Sequence, residues 1–185
     1  MKLKVCGVND AAFAEEAARL GVDYLGFILA PESPRCVTPE QAKQLVRCVR
    51  AVKPTPRCVG VFTHQPIKEI VAVSRAVGFD VVQLHRRATE ADVAALRAAD
   101  YEVWTLAGGA PGDAVLFDSS HGDGETALRR GPFRTVLAGG ISLENLAAAR
   151  ARRPDVVDVC GALEDVPGVK SIPRLRAFMC AWCGA

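Results

Sequence analysis

The sequence places a thiol and a carboxyl group at or near the ends of short apolar runs, where a buried strand meets the surface. Cys6 lies in the first run, residues 3–8, and Asp118 ends a later one, residues 114–118. A thiolate with a lowered pKa can remove a proton from carbon, and a carboxylic acid with a raised pKa can donate one near neutrality. The pair indicates acid–base chemistry, with a core thiol and a loop cap as the alternatives.

Glycines near the C-terminal third indicate a phosphate site. Gly139 and Gly140 join an apolar run to a helix that we expect to start at Ser142 and to run to Arg152. The free N–H groups of such a turn and the positive helix end suit an anion. Gly161 follows the next apolar run and supplies further donors. The alternative is that these glycines serve only tight turns.

Eight short runs rich in β-branched residues recur along the chain and predict strands. They are mostly continuous rather than alternating, which is typical of strands that are buried on both faces. Amphipathic stretches separate most of them, and the clearest begins at Thr38-Pro39 with Gln41 completing a capping box. The predicted strands are residues 3–8, 24–29, 58–62, 81–85, 102–106, 114–118, 135–138 and 156–160.

This order predicts an α/β fold, a compact (β/α)8 TIM barrel, as a single domain over residues 1–185. An open doubly wound sheet is disfavoured, because the first strand leads into Cys6-Gly7-Val8-Asn9 rather than GxGxxG. Residues 107–113 leave room for no helix or a minimal one after the fifth strand. Residues 124–130 allow only a short helix after the sixth. In a barrel, catalytic groups lie at the C-terminal ends of strands, where Cys6, Arg35 and Asp118 fall.

Composition excludes several classes of protein. The 23 basic and 21 acidic residues leave a net charge of +2, which argues against a nucleic-acid surface. No apolar run approaches the ~18 residues of a membrane span, and no export signal precedes Cys6, so we expect a cytoplasmic protein. We then expect most of the seven cysteines to be reduced thiols. Cys180 and Cys183 form an incidental pair at the end of the last helix, and no metal site is predicted.

The chain resembles the phosphoribosylanthranilate isomerase family of tryptophan biosynthesis over almost its whole length. Any one matching segment is weak, but seven occur in the family's order along the eight predicted strands. The segments are Lys4-Val5-Cys6-Gly7-Val8, LGFILAPESPR at 25–35, VGVF at 59–62, VQLH at 82–85, FDS at 117–119, LAGGI at 137–141 and PGVK at 167–170.

The resemblance implies an aldose-to-ketose isomerase without a cofactor. It would catalyse the Amadori rearrangement of N-(5-phosphoribosyl)anthranilate to 1-(2-carboxyphenylamino)-1-deoxyribulose 5-phosphate. By the family mechanism Cys6 is the general base and Asp118 the general acid, while Arg35 pairs with the anthranilate carboxylate. Gly139, Gly140 and Gly161 would hold the phosphate. His85 fits the pattern, and we interpret it as a structural histidine near the site.

Two loops depart from the family pattern. Residues 121–128 lack the family's GGTGxxFDW ending and carry Asp123 at its threonine position, and Cys160-Gly161 replaces two serines after the eighth strand. Substrate affinity and specificity are therefore open. The alternatives are a diverged barrel that isomerises another phosphosugar and a non-catalytic barrel that binds a phosphometabolite. The expected partner is a small phosphorylated aminosugar, with no nucleic acid and no membrane, and a monomer is favoured over a dimer.

Overall fold

The strands close into a barrel, as predicted. The computed structural model describes residues 1–119, 128 and 131–184. Within these residues each strand is parallel to the next, and the eighth pairs with the first to complete the closed barrel β1 to β8. The strands are β1 Lys2–Val5, β2 Tyr24–Ile28, β3 Arg57–Phe62, β4 Val81–Leu84, β5 Glu102–Leu106, β6 Ala114–Asp118, β7 Arg134–Ala138 and β8 Val156–Val159.

Helices cover the outside of this barrel. Thr38 and Gln41 form the predicted capping box of α2, which buries the apolar side of the helix against the strands. Residues 107–113 connect β5 to β6 without a helix. The short helix predicted after β6 falls on residues 124–130, of which only Leu128 is described. The helices are α1 Ala11–Arg19, α2 Pro39–Arg50, α3 Ile67–Val77, α4 Glu90–Ala98, α5 Leu146–Ala151 and α6 Ile172–Cys183.

Of the element boundaries that differ from the sequence prediction, three bear on the site. The predicted first strand is too long, because Gly7 has a φ of +71° that an extended strand cannot adopt. β8 ends at Val159, so that Cys6 and Cys160 are the first residues beyond two adjacent strands. The helix start at Ser142 is also wrong: residues 143–145 form a turn, and α5 begins at Leu146.

The barrel is closed at the N-terminal ends of its strands. Trp104 is fully buried there and packs edge-on against Tyr24, with ring centroids 4.9 Å apart. Glu102 bridges Arg57 and Arg134 across the same end. Only the C-terminal ends of the strands are therefore left to open into a site.

A small hairpin follows β8 and reaches back over this open end. A 3-10 turn at Gly161–Leu163 leads into β9 Glu164–Val166, which pairs with β10 Val169–Lys170. The hairpin places Glu164 and Lys170 above the end of β1. No helix in the described residues has the length and apolar character needed to cross a membrane.

Candidate active site

A cavity of about 780 Å³ opens at the C-terminal ends of the strands. This volume lies within the range of small-molecule sites, roughly 300–1,000 Å³. The structure brings together on its lining all the site residues predicted from the sequence, although they are spread over the chain. They are Cys6, Arg35, Asp118, Gly139, Gly140 and Gly161.

Cys6 lies at the floor of the cavity, where neighbouring groups favour its thiolate. The thiol of Cys160 hydrogen-bonds to it, and the ammonium groups of Lys4 and Lys170 attract its negative charge. Together they outweigh burial and hold the pKa of Cys6 well below its ordinary value. The same hydrogen bond keeps Cys160 protonated, because it raises the pKa of Cys160. These opposite shifts favour the charge on Cys6 over the charge on Cys160.

Lys4 and Asp158 form a buried ion pair beneath Cys6. Lys4 is fully buried, and its Nζ lies 2.5 Å from Asp158 Oδ2 on the adjacent strand. Burial alone would lower the pKa of Lys4, but Asp158 and Cys6 raise it above its ordinary value. Burial raises the pKa of Asp158 to about 7, against the opposing effect of Lys4. Asp158 lines the cavity, and its buried Oδ1 has no hydrogen-bond partner in the described residues.

Asp118 is the last residue of β6, and its carboxylate occupies space that only a glycine at position 139 leaves open. A Cβ atom on Gly139 would lie 2.5 Å from Asp118 Oδ1 and from both the nitrogen and the hydroxyl oxygen of Ser119. Gly139 also has a φ of +88°, which disfavours any side chain. His85 Nε2 lies 3.9 Å from Asp118 Oδ2, which is longer than a hydrogen bond. β7 and β8 lie between β6 and β1, so the loops that follow them separate Asp118 from Cys6.

Arg35 is held at the cavity wall by a carboxylate that the sequence did not single out. Its Nε and one terminal nitrogen donate to the two oxygens of Glu164, both at 2.8 Å. Lys170 Nζ lies 2.9 Å from the same carboxylate. Burial would raise the pKa of Glu164, but Arg35 and Lys170 keep it below its ordinary value. The side chain of Arg35 crosses Gly7, where a Cβ would lie 2.7 Å from Arg35 Cδ.

Backbone N–H groups around the predicted phosphate glycines are available to a ligand. The N–H groups of Gly140, Ile141, Gly161 and Ala162 donate to no backbone oxygen within the described part of the chain. All four residues line the cavity. The short α5 starts six residues beyond Gly140 and is separated from it by a turn, so the N–H groups of Gly140 and Ile141 are loop amides rather than a helix end. The departure at Asp123 falls on residues 120–127, outside the described residues.

The sequence reasoning missed the charged residues that surround the pair of thiols. Lys4, Asp158, Glu164 and Lys170 belong to this network. A signal existed for two of them, because a lysine and an aspartate inside the otherwise apolar first and last strand runs must be paired if they are buried. Across residues 1–119 and 131–184, no group of three or more His, Cys, Asp or Glu side chains is arranged to hold a metal ion.

Comparison with known proteins gives one consistent result. Residues 3–181 match the family described as N-(5'phosphoribosyl)anthranilate (PRA) isomerase. A relative of that name from Pelobacter propionicus is 34% identical over an alignment of 199 positions. The alignment covers 97% of this chain and 94% of the relative.

Solved structures agree with this match. The phosphoribosyl anthranilate isomerase of Thermus thermophilus superimposes with a TM-score of 0.84 at 31% identity, over 100% of this chain and 99% of the other. A second isomerase structure, in complex with reduced 1-(o-carboxyphenylamino)-1-deoxyribulose 5-phosphate, has a TM-score of 0.80 and 27% identity, with full coverage of both chains.

Proposed function

Because this chain belongs to the N-(5'-phosphoribosyl)anthranilate isomerase family and is an isomerase of tryptophan biosynthesis, we propose that Cys6 and Asp118 are its acid–base pair. The observation that carries the proposal is the position of Cys6 on the lining of the same cavity as Asp118, beside Cys160, Lys4 and Lys170, which lower the pKa of Cys6. A thiolate is a competent base for a carbon-bound proton. A core thiol would instead behave like Cys58, where burial raises the pKa to about 12.

Asp118 acts first, as the general acid. It protonates the ring oxygen of the phosphoribosyl group, the ring opens, and the nitrogen lone pair forms an iminium at C1. The positive iminium acidifies the proton on C2, and Cys6 removes it to give an enolamine that tautomerises to the ketone. Cys6 directly follows β1 and Asp118 ends β6, and this separation around the barrel leaves the sugar between them.

The two ends of the substrate bind to different walls of the cavity. Arg35 uses Nε and one terminal nitrogen for Glu164, and the remaining edge of its guanidinium pairs with the anthranilate carboxylate. The phosphate accepts hydrogen bonds from the N–H groups of Gly140, Ile141, Gly161 and Ala162. Gly139 belongs to the same phosphate loop, and it also leaves room for the carboxylate of Asp118.

Direct assay of the purified protein tests this proposal. It should convert N-(5'-phosphoribosyl)anthranilate to the ketose, and chromatography would measure this conversion. It should also restore growth of a tryptophan auxotroph that lacks the isomerase. Cys6→Ser and Asp118→Asn should each reduce kcat by roughly 10²- to 10⁴-fold, the usual contribution of one general acid or base. Full activity in either variant, with the fold intact by circular dichroism, would exclude that residue from the proposed role.

The assembly and location of the protein belong to the same proposal. We expect a monomer acting in the cytoplasm, where its thiols stay reduced. Sedimentation at several protein concentrations tests the first expectation, because a dimer would change its sedimentation coefficient on dilution.

A further inference from the structure

Cys6 and Cys160 lie side by side at the ends of two adjacent strands. β1 and β8 run parallel with Val5 opposite Val159, and the N–H of Cys6 donates to Val159 O at 2.9 Å. The register continued by one residue sets Cys6 opposite Cys160. Neighbouring strands are about 4.8 Å apart, which lies within the ~4.4–6.8 Å between the Cα atoms of disulfide-bonded cysteines.

Their side chains also point to the same space. A Cβ on Gly7 would lie 3.2 Å from Cys160 Sγ, and a Cβ on Gly26 would lie 2.8 Å from Cys6 Sγ. Both residues line the cavity, and Cys160 is the largest of the influences that lower the pKa of Cys6. The two thiols therefore face one cavity from the ends of adjacent strands.

The surroundings make this pair reactive. Lys4 and Lys170 help to lower the pKa of Cys6, and a lowered pKa favours the thiolate, which is the form that attacks a peroxide. Lys170 Nζ lies 3.8 Å from Cys160 Sγ and favours its ionisation once the charge on Cys6 has been lost. The open cavity admits a small oxidant. Cys58 offers a contrast within the same chain, because it is fully buried and its pKa is raised to about 12.

We propose that Cys6 and Cys160 form a site of reversible oxidative modification, in which a peroxide closes a disulfide bond between them. The Cys6 sulfur attacks one oxygen of hydrogen peroxide, the O–O bond breaks, hydroxide leaves, and Cys6 becomes a sulfenic acid. The Cys160 sulfur then attacks the Cys6 sulfur, the S–O bond breaks, and the hydroxyl leaves with the Cys160 proton as water. In total, two thiols and one peroxide give one disulfide and two waters.

The disulfide would switch the enzyme off, because Cys6 in a disulfide cannot accept a proton. Only this loss of activity rests on the proposed role of Cys6. Formation of the bond depends on the geometry of the two strands and on the lowered pKa of Cys6, and it does not require that Cys6 act as the base.

The experiment uses the full chain, in which four partly or fully exposed cysteines outside the pair are replaced by serine. The replacements are Cys36→Ser, Cys48→Ser, Cys180→Ser and Cys183→Ser. They leave three cysteines, Cys6, Cys58 and Cys160. After treatment with hydrogen peroxide, the thiols titrated in denaturant should fall from three to one. The intact mass should fall by two hydrogen atoms, and digestion should give a joined peptide that contains Cys6 and Cys160. Activity should fall by about 10²-fold or more, and dithiothreitol should restore both thiols and activity.

Two further variants in this background serve as controls. With Cys160→Ser, peroxide should oxidise Cys6 beyond the sulfenic acid, and dithiothreitol should not restore activity. With Cys58→Ser, the joined peptide should still form. Oxygen added to Cys6 without a joined peptide would overturn the proposal, as would full recovery of Cys160→Ser with dithiothreitol. If the untreated protein does not isomerise its substrate, the proposed function fails, while the mass and the peptide still decide whether the disulfide forms.

Discussion

Replacement of Gly139 by alanine tests whether the position of Asp118 depends on the space that this glycine leaves. The new Cβ would lie 2.5 Å from Asp118 Oδ1, whereas ordinary contacts begin near 3.4 Å. Relief of this clash requires a shift of about 1 Å in the carboxylate or in the backbone that carries it. A displacement of this size in a catalytic group costs about 10²-fold in rate. We therefore expect kcat/KM to fall by roughly 10²-fold in Gly139→Ala.

Gly78→Ala is the matched control. Gly78 also has a φ of +88°, but a Cβ there meets no atom within 4 Å, and the residue ends α3 on the outside of the barrel. Both variants carry the left-handed strain of roughly 1–2 kcal/mol, and Gly139→Ala adds overpacking of about 1–3 kcal/mol. Steady-state kinetics and urea unfolding of the two proteins separate these effects. Equal kcat/KM values in the two variants would refute the argument that Gly139 makes room for Asp118.

Three other expectations follow from the charged groups of the site. Lys4→Met leaves Asp158 buried without its cation, and urea unfolding should show that the free energy of unfolding falls by about 3–5 kcal/mol. Lys43→Met, at an exposed position on α2, should change this free energy little. Iodoacetamide should label Cys6 at neutral pH, because the pKa of Cys6 is lowered. The labelling rate should fall only as the pH falls through that pKa. A midpoint of the rate against pH at or above 9 would contradict the lowered pKa. Glu164→Gln removes the bidentate partner of Arg35 and should raise KM about tenfold with little change in kcat. Asp165→Asn, at the neighbouring exposed carboxylate, should change neither KM nor kcat. An unchanged KM in Glu164→Gln would argue against Arg35 as the ligand of the substrate carboxylate.

The barrel and the main site residues could be read from the sequence because their signals are local. Apolar runs and caps such as Thr38 depend on residues that are close in the chain, and the position of Cys6 or Asp118 at a strand end places it at the open end of a barrel. The boundaries were less accurate. The left-handed conformation of Gly7 ends the first strand early, and the turn at residues 143–145 delays α5. Both are single-residue or single-turn features that apolar periodicity does not resolve.

The chemical state of the site was decided by the tertiary structure. Lys4 and Asp158 are 154 residues apart in the chain, and Arg35 and Glu164 are 129 apart, yet each pair is in direct contact. Closure of β8 onto β1 creates the first contact and also sets Cys160 beside Cys6. By itself the sequence determined which fold forms and which thiol, carboxyl group and guanidinium face its open end. The charge on Cys6 and the partner of Arg35 depend on groups brought together by barrel closure, because electrostatic interactions act over distances in space rather than along the chain.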